Sequence, residues 1–241
     1  MKRAFDILIS LFGLLVLSPI LLTFMYLVYR QDGQSPLYIA SRIGKDGVVF
    51  KMIKLRSMLV NADKSGVQST SANDSRITPL GHKIRRYKLD ELTQLWNVLI
   101  GDMSLVGPRP NVSSDVKLYT DIEKDLLSVR PGITDFSSIV FSDEGEILRG
   151  MKEPDLAYNQ LIRPWKSRLG LIYIKHRTFL LDFQLVFYTL VAIVSRPRAL
   201  SWVNKKLTDL HVDLATIETA KRERDLRPCP PPGSDSIVGS R

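Results

Sequence analysis

Asp90 and Glu91 are adjacent carboxylates in a segment, Ile84 to Pro110, that also carries Arg85, Arg86, Lys88 and Arg109. This set suits phosphoryl chemistry on a nucleotide. The cations can hold an anionic diphosphate, one carboxylate can attack phosphorus, and both can help to hold a divalent metal. A plain structural reading stands beside it, because acidic residues are favoured near helix N-termini and on solvated faces. The elements that must position these groups are legible. Leu89, Leu92, Leu95, Trp96 and Leu99 recur at helical spacing, which predicts an amphipathic helix with that face buried, ending at Gly101. A turn rich in Gly and Pro then presents Arg109 between two prolines. Asp102, in that turn, has an equal reading as a fold-stabilising cap.

The chain has 241 residues, enough for one core of ordinary size with attachments. Its 34 Lys and Arg against 25 Asp and Glu leave a net charge of +9. That excess suits an anionic partner: an acidic membrane surface, a phosphorylated substrate or nucleic acid. Nucleic acid is the weaker choice, because no reading motif accompanies the charge. One cysteine, Cys229, excludes an intramolecular disulfide and a Cys-based zinc cluster. The scattered His82, His176 and His211 make no metal pattern, so any metal would be held mainly by oxygen.

Upstream, an apolar run from Ile7 to Tyr29 is long enough to span a bilayer as a helix. It is too long for a cleaved signal peptide and lacks the small-x-small exit. Ser18-Pro19 interrupts it near the middle. Lys2 and Arg3 flank one end and Arg30 the other, so charge does not orient it. A hairpin that enters and leaves by one face and a kinked spanning helix both fit. Asp6 can meet the basic flank. Leu37–Ile43 and Val48–Leu55 read as a hairpin closed by Gly44-Lys45-Asp46-Gly47, with Lys54 and Arg56 on one face by alternation; a charged edge strand explains them equally well. Residues 61–74 read as a loop. Thr78-Pro79 reads as a helix start.

Ser113–Leu127 reads as a mixed-charge structural helix. Tyr158 to Arg177 is amphipathic and basic (Arg163, Lys166, Arg168, Lys175, Arg177), which suits either a headgroup-layer helix or a surface helix over a core. Phe179 to Val194 is short for a span and contains Asp182, so it reads as buried or interfacial. Leu207, Leu210, Leu214 and Ile217 allow a coiled-coil contact or another amphipathic helix. The Pro-rich end reads as disordered.

L-D-E-L-T-Q-L-W-N-V-L followed by G-D-M-S-L-V-G-P-R-P resembles the signature of the bacterial sugar transferases, the monotopic phosphoglycosyl transferases. Related features extend from Lys2 to about Arg198. The resemblance implies transfer of a sugar phosphate from a UDP-sugar to undecaprenyl (polyprenyl) phosphate at the bacterial inner membrane, with the catalytic face in the cytoplasm. It implies Asp90 as nucleophile and metal contact, Glu91 as metal ligand or base, and Mg2+ as cofactor. Lys54, in K-M-I-K-L-R-S-M, is then expected near the active site. Arg85, five residues before Asp90, and Arg109 join it as phosphate-binding or site-organising groups, as does Arg130 in V-R-P-G-I-T. Ser18-Pro19 matches the break of a re-entrant helix.

Small relatives of this kind point to an N-acetylated amino sugar, and a homodimer is a candidate assembly. One departure follows Thr134. Many relatives continue G-L-A-Q-V-N-G-R, whereas this chain reads D-F-S-S-I-V-F-S-D-E-G-E. Ser142 falls near the place of the lost arginine, and Asp143, Glu144 and Glu146 resemble a second branch of the family.

The expected fold class is α/β of the α+β kind, mainly helical: a compact catalytic domain with an N-terminal re-entrant membrane helix and amphipathic interfacial helices. The expected domains are the membrane hairpin 1–32, the catalytic domain 33–200, an amphipathic C-terminal helix 201–226 and a disordered tail 227–241. The rival from another class is a non-enzymatic basic scaffold anchored to the membrane. Within the enzyme class, a one-step ternary mechanism is the alternative.

Overall fold

The computed structural model of the chain describes residues 1–239. It is a mainly helical α+β fold. α1 runs from Lys2 to Asp32 without interruption, with Pro19 inside it. Proline has no N–H to give the carbonyl four residues back. The Ser18 hydroxyl donates to that carbonyl, Leu15 O, at 2.7 Å, so the helix passes through the Ser-Pro pair without becoming two helices.

Both ends of α1 are held by the rest of the chain. Lys2 reaches the Asp182 carboxylate at 2.7 Å and the Val106 carbonyl at 3.1 Å, and Phe5 packs edge-on against Phe179. At the other end Asp32 accepts a two-pronged contact from Arg56, at 2.6 and 2.7 Å, and Val28 is buried with Leu55 and Ile84. The middle exposes Leu8, Leu11, Phe12, Leu15, Val16, Ile20 and Leu22. Asp6 does not meet the basic flank. It is buried, accepting from the Ser104 hydroxyl and the Leu105 amide.

β1 (Leu37–Ile43) and β2 (Val49–Leu55) form the antiparallel hairpin, with Leu37 opposite Leu55. α2 (Pro79–Arg86) starts where Thr78 caps it, the threonine hydroxyl accepting from the Gly81 amide at 2.9 Å. The chain then reverses at Lys88, whose φ of 57° breaks the helix. The single helix expected up to Gly101 is therefore two, α3 (Leu89–Leu92) and α4 (Gln94–Ile100), the second closed by Gly101 at φ 102°. Its buried side is not the leucine stripe. Thr93, Gln94, Asn97 and Val98 are buried, while Trp96 and Ile100 are half exposed. The polar side faces inward because it docks on β2: Asn97 accepts from the Ile53 amide and donates to the Lys51 carbonyl, and Thr93 donates to the Ile53 carbonyl.

β3 (Ser104–Val106) pairs in parallel with β4 (Gly132–Thr134). Between them the mixed-charge segment forms only the short α5 (Ser113–Val116) and a 3₁₀ turn, Glu123–Ser128, in place of one helix. α6 (Phe136–Val140), α7 (Glu144–Ile147) and α8 (Pro154–Ala157) are short. A π-helical turn at Tyr158–Ile162 leads into α9 (Arg163–His176).

α9 takes the second of its two expected readings. Leu169 and Tyr173 are core residues, and Arg163 is buried against Glu123 at 2.8 Å. α10 (Phe179–Val194) instead turns Phe179, Leu180, Phe183, Phe187, Leu190 and Val194 outward. α11 (Arg196–Asp209) and α12 (Leu214–Lys221) replace the one C-terminal helix expected. The chain bends at His211 (φ 54°), and Asp213 caps the new helix. Leu207 and Ile217 are buried while Leu214 is exposed, so the four residues form no common stripe.

The described part of the expected disordered tail is docked. The Cys229 amide donates to Gln160 O, Arg168 donates to Pro230 O at 2.8 Å, and Gln160 donates to Val238 O at 2.7 Å. Prolines are already restricted in φ, so docking them costs little chain entropy. Residues 240–241 lie outside the described part.

Candidate active site

Four segments deliver their side chains to one cleft of about 1230 Å³. The first turn of α3 supplies Asp90 and Glu91; the end of β2 supplies Lys54; α2 supplies Arg85; the loop after β3 supplies Arg109. Lys54 Nζ lies 3.6 Å from Asp90 Oδ2, and Arg109 Nη2 lies 2.9 Å from Glu91 Oε1. Lysine and arginine thus approach the two carboxylates separately.

Arg109 is held by close backbone packing. Its other guanidinium nitrogen donates to the Ile133 carbonyl at 3.0 Å. That contact requires β3 and β4 to run almost touching at Gly107 and Gly132, where a Cβ on Gly132 would sit 2.1 Å from the Gly107 nitrogen. The glycines of G-P-R and R-P-G therefore serve one purpose, bringing two backbones close enough to lock Arg109.

Opposite charges hold these groups in their ionised forms against burial. Burial pushes the Glu91 carboxyl upward, but Arg109, Lys88 and Lys54 together outweigh it and bring its pKa down to about 2. Burial works against the charge of Arg109 too, and Glu91 and Asp90 more than offset it, so its pKa is raised. Lys54 goes the other way. Its desolvation exceeds the pull of Asp90, with Arg109 and Arg85 adding repulsion, and its pKa lies below that of an ordinary lysine.

Of the residues singled out in the sequence, Lys54, Arg85, Asp90, Glu91 and Arg109 come together. Arg130 does not. Its exposed side chain donates to the Gly101 carbonyl at 2.8 Å and stays outside the cleft lining. Ser18 and Pro19 lie in the exposed middle of α1. Arg56 leaves the face of Lys54, because β2 ends at Leu55 and Arg56 turns to Asp32. Asp102 accepts from the Asn97 amide side chain, as a structural partner.

Several cleft residues were missed. Tyr38 and Arg42 lie on the same face of β1, and burial lowers the pKa of Arg42. Their spacing of four along a strand was the available signal. Lys166, taken as a possible headgroup cation, pairs with Glu144 at the cleft wall. That contact joins two segments far apart in the chain, and no local pattern announces it.

For a divalent metal, the chemistry of the donor set can be tested. Among the described residues no group of three or more acidic, His or Cys side chains converges. Two adjacent carboxylates opening on a cationic cleft nonetheless fit Mg2+, which typically takes one or two carboxylates and completes its shell with water and substrate phosphates.

A helical α+β domain with paired carboxylates and cations in one cleft, beside a long apolar helix, defines a class of phosphoryl-transfer protein built around a lipid-facing element. The profile of the bacterial sugar transferases matches residues 1–196, and the chain belongs to that family. It is 36% identical over 208 residues to an exopolysaccharide production protein, PSS, of Rhizobium leguminosarum bv. phaseoli, covering 81% of this chain and 96% of the other. It is 33% identical over 214 residues to the undecaprenyl-phosphate galactose phosphotransferase of Salmonella typhimurium, covering 83% and 41%. It is 32% identical over 188 residues to the UDP-N-acetylgalactosamine-undecaprenyl-phosphate N-acetylgalactosaminephosphotransferase of Aeromonas hydrophila, covering 76% and 44%. The chain spans between 31% and 66% of the length of four further or overlapping curated relatives that it matches.

Proposed function

We propose that the chain transfers a sugar 1-phosphate from a UDP-sugar to undecaprenyl phosphate through a covalent enzyme intermediate. The observation that carries this reading is the pairing in the cleft: a carboxylate beside Lys54 and a second one bound to Arg109. An Asp90 oxygen attacks the sugar-bearing β-phosphorus, the bond from that phosphorus to the bridging oxygen breaks, and UMP leaves with that oxygen. The intermediate is an aspartyl phosphosugar. An oxygen of undecaprenyl phosphate then attacks the same phosphorus and expels the Asp90 carboxylate, leaving undecaprenyl-diphosphate sugar. A carboxylate attacking an anionic phosphate is repelled, so fixed cations are essential. Arg109, pinned by Ile133 O and Glu91, and Lys54 are aimed at that charge; Arg85 and Lys88 add to it. Mg2+ held by Asp90 and Glu91 would supply further charge compensation to the diphosphate.

The membrane arrangement follows from α1. At roughly 1.5 Å per residue it is about 46 Å long, more than a bilayer core. A spanning helix would carry its two ends to opposite faces, yet Lys2 and Asp32 are both bound to the same domain. That supports a helix dipping into one leaflet and bent at Pro19, with the exposed faces of α1, α4 and α10 in lipid. The water-soluble donor and the isoprenoid acceptor then meet at one interface, with the cleft facing the cytoplasm, where UDP-sugars are found.

The relatives' names include galactose and N-acetylgalactosamine. The donor is chosen by assaying the purified protein with a panel of UDP-sugars, N-acetylated amino sugars among them. Donor supplied without lipid should release UMP and add the phosphosugar mass at Asp90. D90N should lose both and keep its membrane association. UMP release only when lipid is present, with no adduct at Asp90, would favour a one-step ternary route and end this reading.

A further inference from the structure

The segment where the sequence departs from most relatives forms one rim of the cleft. Ser142, Asp143, Glu144 and Gly145 line it. Glu144 pairs with Lys166, and although burial opposes its charge, Lys166, Arg109 and Lys88 hold its carboxyl below the ordinary range. The Gly145 carbonyl accepts from the Ala72 amide at 2.8 Å, which fastens the 61–74 loop to the same rim.

Two arginines hold this rim from behind, and neither lines the cleft. Arg196, first residue of α11, donates to the Ser142 hydroxyl and the Val140 carbonyl, both at 3.0 Å, and pairs with Asp143 at 2.8 Å. Arg222, the left-handed cap of α12, reaches the other Asp143 oxygen at 3.4 Å and lies over the Phe141 ring, 5.6 Å from its centroid. Its side chain is only 10% exposed. Arg222 lies beyond the family-matched residues 1–196. The arginine absent after Phe141 in sequence is thus answered in space by two that arrive from the C-terminal helices.

We propose that Arg196 and Arg222 are positioning residues for the donor: they preform the Ser142–Glu146 rim so that Glu144 faces the hydroxyl-bearing, uncharged part of the sugar nucleotide. Charge favours that part over the phosphates. Asp143 is neutralised from behind and Glu144 retains acceptor capacity toward the cleft, where it would attract hydroxyls and repel phosphate. The inference rests on the transferase reading for its kinetics, though not for its structural part.

Two measurements on the full-length protein test it. In steady-state assays R222A and R196A should each raise the donor KM about tenfold, with kcat within about twofold and the acceptor KM unchanged. R222K should recover most of the loss. In hydrogen exchange without any substrate, R222A should speed exchange of the 141–147 amides while those of α3 and α4 stay as in the unmutated protein. An unchanged donor KM overturns the proposal; so do equal changes in both KM values and kcat, or unchanged exchange of the rim. If R222A does not fold, R222K and R222Q carry the same comparison. Absence of UMP release from the unmutated protein would count against the transferase reading alone, and hydrogen exchange would still decide this one.

Discussion

At the scale of the residue, the site depends on groups that must keep their charge while half hidden from water. Glu91 and Arg109 achieve it by mutual contact, because each is worth more to the other in a low-dielectric cleft than on a surface. Lys54 is the exception, and its chemistry should be visible in a pH profile. Its pKa is lowered, so it loses its proton at a lower pH than a free lysine. Once neutral it can neither balance Asp90 nor attract phosphate. Activity should therefore fall on the alkaline side well below the ordinary lysine value of 10.5. K54R should move that limb upward, because arginine keeps its proton throughout. An alkaline limb unmoved in K54R would remove Lys54 from this role. The motif residues around Asp90 were legible because they are contiguous; the pairing of Lys54 with Asp90 and of Arg109 with Glu91 was not, since it joins separate segments.

At the scale of the element, local signals did well at ends and poorly at faces. Thr78-Pro79 started a helix, Gly44 to Gly47 closed a hairpin, and Gly101 ended a helix as their chemistry requires. The leucine stripe of α3 and α4 misled, because periodicity reports that one side is apolar and not what it meets. Here the polar side docks on β2 and the apolar side faces α1 and the exterior. The β3–β4 pair makes a sharper demand. G132A should cost roughly 3 kcal/mol, since a methyl group forced into backbone cannot be relieved by a rotamer change. Chemical denaturation would measure it, and activity should fall beyond the loss of folded protein because Arg109 is released with the strands. A stable, fully active G132A would contradict the link between backbone contact and arginine.

At the scale of the whole molecule, apolar and cationic surfaces adjoin. Lys175, His176, Arg177 and Lys206 line a small cavity of about 370 Å³ at the start of α10, beside the outward Phe179 and Leu180. None of the four has an ion-pair partner among the described residues. Vesicles containing phosphatidylglycerol should bind the protein more tightly than phosphatidylcholine vesicles, by about 1 kcal/mol per engaged cation. K175Q/R177Q/K206Q should lose most of that difference, whereas K117Q/K152Q/R227Q, with the same change in charge, should lose little. Equal losses in co-sedimentation would mean that net charge alone governs membrane binding.

What the amino-acid order determined by itself was the local and the contiguous: turns and caps, the apolar length of α1, and the motif that marks the family. Those rest on backbone preferences and neighbouring side chains, which need no partner from elsewhere. Tertiary structure alone decided which side of each helix is buried, that Asp6 and Glu123 are core ion-binding groups rather than surface charges, and that Arg196 and Arg222 stand behind the cleft rim. The reason is physical. A buried charge is tolerated only where an opposite charge or hydrogen-bond donor arrives to meet it, and that partner comes from a distant part of the chain.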